Sequence, residues 1–476
     1  MNAESSAAAN AKYAWRDLVL KGLPKRSPQE RVSDFLEIYG LYTEEMAREQ
    51  ASRCIQCPNP SCVIGCPLCN PIPEWMRLTA EGRFLEAAAV LGSASSMADI
   101  CARLCPQERL CEETCILSAI SEPVSIRAIE QFLMEYSAVH GHADTATAPP
   151  NGLKVAVVGS GPAGLACADE LAKRGYSITI FDSSLVPGGL LVHGMPTFKV
   201  DQSIVERRIE ILKARGVKFK LGVTLGTDMS LADLRHDFDA VFLGSDSRQA
   251  RPLALPGGEA HGVIQALPFI IQKNTPLSLE LPPLELEGKR IVVIGAGDTA
   301  IDCVRTALRC SPREVTCVYR RSEAEMPCAR SEFQNAVEEG AHFIFQALPI
   351  VVVPGKNGWV KALRIIKTTP GELGADRRRS FWPEPGTELE LETDWVIVAL
   401  GFDPTPCPRS GDLVDMAVSE TGALIVDASQ MTSIPGVFAG GDIVRGPSLV
   451  LHTVRDARKA ATGIDGWLTA HNSAHA

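Results

Sequence analysis

The chain has 476 residues, 45% of them hydrophobic and 22% charged, and a formal net charge of −10, which bounds it to a globular protein of about two to four domains. With that charge and no long Lys/Arg block, no nucleic acid is expected as a partner; Arg377, Arg378 and Arg379 read as a solvated hairpin. No membrane partner is expected either, because the longest apolar runs, such as Phe343 to Val353 with its Gln346 and Pro349, fall short of the roughly 18 residues a span needs.

The first dozen residues, rich in Ala, Ser and Asn, have neither the basic nor the apolar region of a secretory signal, so residues 1–30 read as a flexible extension of a cytoplasmic protein. Residues 31–147 have a helical rhythm and no strand pattern: Val32, Phe35, Leu36 and Tyr39 fall at amphipathic spacing. Nine of the fifteen cysteines crowd between Cys54 and Cys115. A reducing cytoplasm disfavours disulfides, which leaves metal ligation, redox chemistry or burial.

These cysteines form two groups, Cys54-x2-Cys57-x4-Cys62-x3-Cys66-Pro67 and Cys101-x3-Cys105-x5-Cys111-x3-Cys115. Iron–sulfur cubanes take four ligands each from short loops, and in two-cluster ferredoxin runs the cysteine before Pro serves the other cluster. By the same crossing, Cys54, Cys57, Cys62 and Cys115 would hold one [4Fe-4S] cluster. Cys66, Cys105 and Cys111 would hold a second that lacks one ligand. A helix over Ser125 to Tyr136 offers Glu130, at the edge of the apolar face of Ile126, Ile129, Leu133 and Tyr136, where a carboxylate needs a partner. Cys101 is the rival for that place, and Cys69 reads as an unligated thiol.

After Ala148-Pro149-Pro150 the pattern becomes βαβ: a strand over Lys154 to Val158, a helix-compatible segment, and a strand from Ile178 to Asp182. The turn Gly159-Ser160-Gly161-Pro162-Ala163-Gly164 fits G-x-G-x-x-G, whose glycines let a pyrophosphate approach the helix N-terminus. Asp182, 23 residues after Gly159, can accept hydrogen bonds from a ribose diol, as in FAD or NAD. A second unit runs through a strand at Ile291 to Ile294, the turn Gly295-Ala296-Gly297-Asp298-Thr299-Ala300, a helix from Asp298 to Arg309 and a strand at Val315 to Tyr319. Here the partner strand leads into Arg320 and Arg321, which suit the 2′-phosphate of NADPH unless they are ordinary surface arginines.

Towards the end, Gly436-Val437-Phe438-Ala439-Gly440-Gly441-Asp442 places a short strand before a Gly-Gly-Asp turn, and Pro447 to Val450 leads towards a closing helix. Asp442 can order a flavin's ribityl and pyrophosphate region or cap a helix. Zinc would also use paired cysteines, but neighbouring flavin and NADPH sites make a redox metal more useful. Cys167, Cys303, Cys310, Cys317, Cys328 and Cys407 lie in or near the βαβ elements, where small buried thiols are common. No cysteine lies between Gly188 and Lys199, and the second unit has no Cys-x-x-Cys, so thiol exchange is not expected.

The sequence resembles the small subunits of NADPH-dependent glutamate synthase from about Glu37 to Trp467. The likeness lies in Gly188-Gly189-Leu190-Leu191, Ala266-Leu267-Pro268-Phe269, Gly295 to Cys303, Tyr319-Arg320-Arg321 with Met326-Pro327, and Ala439-Gly440-Gly441-Asp442-Ile443. It implies two Rossmann-like dinucleotide-binding domains, with the NADPH domain inserted in the FAD domain, preceded by a helical domain binding two [4Fe-4S] clusters. The expected boundaries are 31–147 for the iron–sulfur domain, 151–285 and 401–476 for the FAD domain, and 286–400 for the NADPH domain. The resemblance also points to Glu130 as the last cluster ligand. Two departures stand out: Asp182 where relatives often carry Glu, and Gly244-Ser245-Asp246-Ser247 in place of a smaller, more apolar turn.

The activity so implied passes hydride from NADPH to FAD and single electrons through the clusters, with no catalytic side chain required because the cofactors carry the chemistry. The partner would be a large (alpha) subunit carrying FMN and glutaminase activity, which makes glutamate from glutamine and 2-oxoglutarate. A related subunit serving a ferredoxin-type or other acceptor is the alternative. A non-enzymatic iron–sulfur redox sensor is a third reading.

Overall fold

A computed structural model describes residues 13–141, 146–245, 249–275, 283–374, 378–403 and 411–472. Before residue 141 the apolar residues recur at helical spacing and meet in one core. Helices α1 (Phe84–Ala94), α2 (Ala98–Leu104) and α3 (Ile126–His140) contribute to one core with the fully buried Trp75, whose indole N–H donates to Asn70 Oδ1 at 2.9 Å. Phe84 meets Phe132 and Tyr136 edge-on, with centroids 5.0 and 4.9 Å apart. No single helix among the described residues is long and apolar enough to cross a membrane. The pair α1 and α2, long enough together, is bent by 84° and contributes to this core.

The amphipathic helix expected through Val32, Phe35, Leu36 and Tyr39 does not form. A helix ends at Val32, and Leu36 is 60% exposed. Asp34 Oδ1 accepts from Leu36 N at 3.0 Å and from Arg26, a local bond that competes with helix. Ile38 is buried instead, its N–H donating to Phe198 O at 3.3 Å. Nor are residues 13–30 loose: Gln50 donates to Val19 O, and Lys25 pairs with Glu338 at 2.7 Å.

The first unit contains β1 (Lys154–Val158), α4 (Pro162–Lys173), β2 (Ser177–Asp182), β3 (Lys218–Leu221) and β4 (Ala240–Leu243). The second contains β5 (Val263–Gln265), β6 (Arg290–Ile294), α5 (Asp298–Leu308), β7 (Glu314–Val318), α6 (Arg330–Glu338), β8 (His342–Ile344) and β9 (Trp395–Val398). The chain then returns to the first sheet as β10 (Val437–Ala439) and closes with α7 (Val450–Asn472). Both sheets are parallel, in the orders β10-β4-β1-β2-β3 and β5-β9-β6-β7-β8. Strand runs such as Val155 to Val157 and Ile291 to Ile294 are buried, as parallel strands covered on both faces must be. The second unit is therefore an insertion in the first, and the two crossings between them pair at Ala250 with Phe402.

An antiparallel layer, Ala347–Pro354, Val360–Leu373, Arg379–Pro383 and Leu389–Glu392, lies beside the second sheet. Its hairpin carries Arg378 and Arg379; Arg377 lies outside the described residues. Phe198 of the first unit sits beneath Arg305 of α5 and Arg309 at its C-terminal cap, 4.5 and 4.0 Å from their guanidinium carbons. Both arginines pair with Glu339, and Arg305 also with Glu332 at 2.6 Å. Burial would raise the Glu332 carboxyl, but Arg305 and Lys199 outweigh it and hold the group at about 2.

Candidate cofactor and nucleotide sites

The first glycine-rich turn joins β1 to α4. At Gly159 φ is +98°, and a Cβ there would lie 2.8 Å from Gly244 O. A Cβ on Gly164 would fall 1.8 Å from Gly159 O, so only glycine lets α4 seat on the turn. Gly161 is the opposite case, because a Cβ would meet nothing within 4 Å. Its backbone faces a cavity of about 420 Å³. Gly159, Pro162, Ala163, Asp182, Gly189, Leu190 and Asp442 line that cavity with it. Beside Asp442, Gly441 takes φ +84°.

Asp182 ends β2 at the cavity wall, where its carboxylate accepts three hydrogen bonds from the protein. Oδ2 accepts from Ser160 N and Ser160 Oγ, both at 2.6 Å, and Oδ1 accepts from Ser184 N at 2.8 Å. The shorter Asp thus braces the turn whose open face a pyrophosphate would meet. Gly244 and Ser245 also line the cavity; Asp246 and Ser247 lie outside the described residues.

The second turn repeats the plan. At Gly295 φ is +127° and a Cβ would approach Ala399 O to 2.3 Å, while Gly297, just before α5, again faces open space. Ala296 and Ala300 are buried, and Asp298 Oδ1 accepts from Ala329 N at 2.9 Å. Beyond β7, the Arg320 and Arg321 guanidinium carbons lie 4.8 and 5.6 Å from the Phe381 ring centre, and Arg321 Nε donates to Arg379 O at 3.0 Å. Burial, with Arg321, Arg378 and Arg251 nearby, pulls Arg320 below the ordinary guanidinium range. This is a stacked basic cluster, with Arg320 and Arg321 over one ring, of the kind that can meet a phosphate.

Between the two turns lies a cleft of about 880 Å³, with Asp298 and Thr299 on one side and Leu190 and Asp442 on the other. It shares Leu190, Met195, Asp442, Ser448 and Val450 with the first cavity, so a nicotinamide in the cleft and a flavin in the cavity would meet at a common wall.

The cysteines surround two further cavities. Cys54, Cys57, Cys62 and Cys115 line the outer one; Cys66, Cys105 and Cys111 line the inner one, together with both Glu130 and Cys101. The crossing of the two groups is thus present in the geometry, and both rivals for the last place reach the same wall. Ile72 and Ile126 line both cavities. Cys105 lines the inner cavity and the nucleotide cleft, and Leu451 of α7 joins the inner cavity beside Val450 at the flavin cavity.

Burial pushes the Cys54 and Cys62 thiols up to about 11 and about 12, and it also raises Cys66 and Cys111. Burial raises Glu130 to about 8 against a hydrogen bond from Gln107. A thiol or carboxyl that ligates a metal must give up its proton to do so. Among the described residues no three His, Cys, Asp or Glu side chains close around a single ion; the thiols line cavities instead. All described cysteines are free thiols; Cys69 is exposed, with φ +51°, and Cys407 lies outside the described residues. Sequence reasoning missed Gln107, Leu451, Met195 and the Lys199–Asp302 pair at 2.9 Å in the cleft. Gln107, Leu451, Met195 and Lys199 carry no local motif, and Asp302 lies in the Gly295 to Cys303 segment without a glycine or phosphate-turn role to mark it.

Two family profiles match. One, described as dihydropyrimidine dehydrogenase domain II, 4Fe-4S cluster, covers residues 31–142, and one described as pyridine nucleotide-disulphide oxidoreductase covers 153–457. The chain is 40% identical to the glutamate synthase [NADPH] small chain of Escherichia coli, over 96% of this chain and 98% of that one. It is also 40% identical to the putative oxidoreductase UacF of the same organism, over 93% of this chain and 71% of that one. FprA of Mycobacterium tuberculosis, solved in complex with NADPH, shares the fold of the nucleotide-binding part, with TM-score 0.58 and 19% identity over 69% of this chain and 86% of that one. An iron–sulfur unit joined to two interleaved dinucleotide-binding units, matched along almost its whole length, makes this chain an NADPH-dependent oxidoreductase that belongs to the family of glutamate synthase [NADPH] small chains.

Proposed function

We propose that the chain is the NADPH-oxidising electron-transfer subunit of a glutamate synthase, working with a large subunit that carries FMN and glutaminase activity and makes glutamate. Bound FAD supplies hydride acceptance and one-electron release, and two [4Fe-4S] clusters supply one-electron conduction. The observation that carries this reading is a series of shared walls: flavin cavity to nucleotide cleft, nucleotide cleft to inner cysteine cavity, and inner cavity to outer, with Leu451 of the inner cavity next to Val450 of the flavin cavity on α7.

The protein's part is to bind, orient and exclude water. Gly161 and Gly297 leave the helix starts open to phosphates. Asp182 fixes the first turn, Arg320 and Arg321 select the 2′-phosphate, and Asp442 with Gly441 closes the flavin cavity. Cys54, Cys57, Cys62 and Cys115 hold the outer cluster. Cys66, Cys105, Cys111 and Glu130 hold the inner one, with Cys101 the rival for the last place on the same wall. Ile116, which lines the outer cavity, is 53% exposed and suits a protein partner. Thiol ligands of this kind fit a reducing, cytoplasmic setting.

The test is reconstitution with the large subunit. NADPH-dependent glutamate formation from glutamine and 2-oxoglutarate is expected. A chain that oxidises NADPH with dyes but never supports glutamate formation would instead serve another acceptor, a reading favoured by the equal identity to UacF.

A further inference from the structure

The loop between Cys105 and Cys111, two residues of the inner cavity, does not stay within the cysteine-bearing unit. It forms a short turn over Gln107–Arg109 and docks on the second dinucleotide unit through consecutive side chains. Both carboxylate oxygens of Glu108 lie 3.3 Å from Ser331 N at the start of α6. Arg109 Nη1 donates to Pro327 O at 2.7 Å, and Arg109 Nη2 lies 3.7 Å from Asp298 Oδ2.

Asp298 is the first residue of α5, directly after the open Gly297. A carboxylate there favours the helix N-terminus but repels a pyrophosphate arriving at the same N–H groups. One of its oxygens is held by Ala329 N, and the guanidinium of Arg109 stands beside the other. The Arg109 side chain is 41% exposed and lines the nucleotide cleft, and a guanidinium has five donors, more than these two contacts use.

We propose that Arg109 belongs to the nucleotide site: carried there by the loop that joins two cluster ligands, it offsets Asp298 and pairs with the pyrophosphate of NADPH. This rests on the reading of the second turn as the NADPH site. The cleft is then completed by the iron–sulfur unit, and by linkage nucleotide binding stabilises the docked loop as much as the docked loop favours the nucleotide.

The test measures equilibrium binding of NADP⁺ and of 2′-AMP, which has the 2′-phosphate but no pyrophosphate, to the purified flavin- and iron-containing protein. For Arg109→Gln, NADP⁺ should bind about tenfold more weakly, about 1.4 kcal/mol, with 2′-AMP unchanged. For Arg320→Ala with Arg321→Ala, both ligands should weaken. If Arg109→Gln leaves NADP⁺ within twofold while the double variant weakens it, Arg109 has no such role and the NADPH reading stands. Equal weakening of both ligands by Arg109→Gln would mean a docking role alone and also overturn the proposal. If the double variant binds both ligands normally, the reading of the second turn itself fails. Should Arg109→Gln not retain flavin, Arg109→Lys keeps the charge without the fork; NADP⁺ should then weaken about threefold with 2′-AMP unchanged, and unchanged NADP⁺ binding would overturn the proposal.

Discussion

The outer and inner cysteine cavities are built from the same two loops, yet they differ in what completes them and what surrounds them. The outer one is walled by four thiols and by the exposed Ile116. The inner one has three thiols from the crossed pattern, a buried carboxyl and a buried fourth thiol, and it touches both the nucleotide cleft and the helix beside the flavin cavity. On the proposed function, the difference would give the two positions separate tasks, an inner station beside the nucleotide chemistry and an outer one facing a partner. It also predicts that damage to each will be read by different assays.

The largest effect should come from Cys57→Ser at the outer cavity. Glutamate formation with the large subunit should fall at least a hundredfold, while NADPH oxidation with a dye that takes electrons from flavin stays within twofold. Equal loss of both activities would erase the distinction. The Arg320→Ala, Arg321→Ala double variant should raise the KM for NADPH about a hundredfold and that for NADH by less than threefold, since two charge-assisted contacts to phosphate are lost. Steady-state kinetics with both nucleotides checks this.

At the inner cavity, Glu130→Ala should change the low-temperature EPR signal of one cluster and leave FAD content unchanged, whereas Cys101→Ser should leave the signals as they are. The reverse pattern would make Cys101 the ligand. The smallest effect is expected from Ile116→Asp, about tenfold weaker association with the large subunit in sedimentation or titration, with dye-linked turnover unaltered.

What the sequence made legible follows from how local each signal is. The two turns, the strands at Lys154 and Arg290 and the crossing of the cysteines depend on short-range spacing, and the structure brings the residues of each set together. The stretch from Val32 to Tyr39 was misleading because its helical spacing competes with an Asp34 turn and with the distant backbone of Phe198. The bracing of the first turn by Asp182 was equally hidden, since Ser160 is its partner only once the turn is folded. Leu451 reaches the inner cavity over more than 300 residues of chain, and Arg109 meets Asp298 across two units. Neither contact leaves a periodic trace.

The most direct test of the two-cavity account is the iron and acid-labile sulfide content per flavin of the anaerobically purified chain, measured beside its zinc content. Two four-iron clusters per FAD, with no stoichiometric zinc, is the predicted result. A single cluster per FAD, or zinc in place of iron, would contradict it.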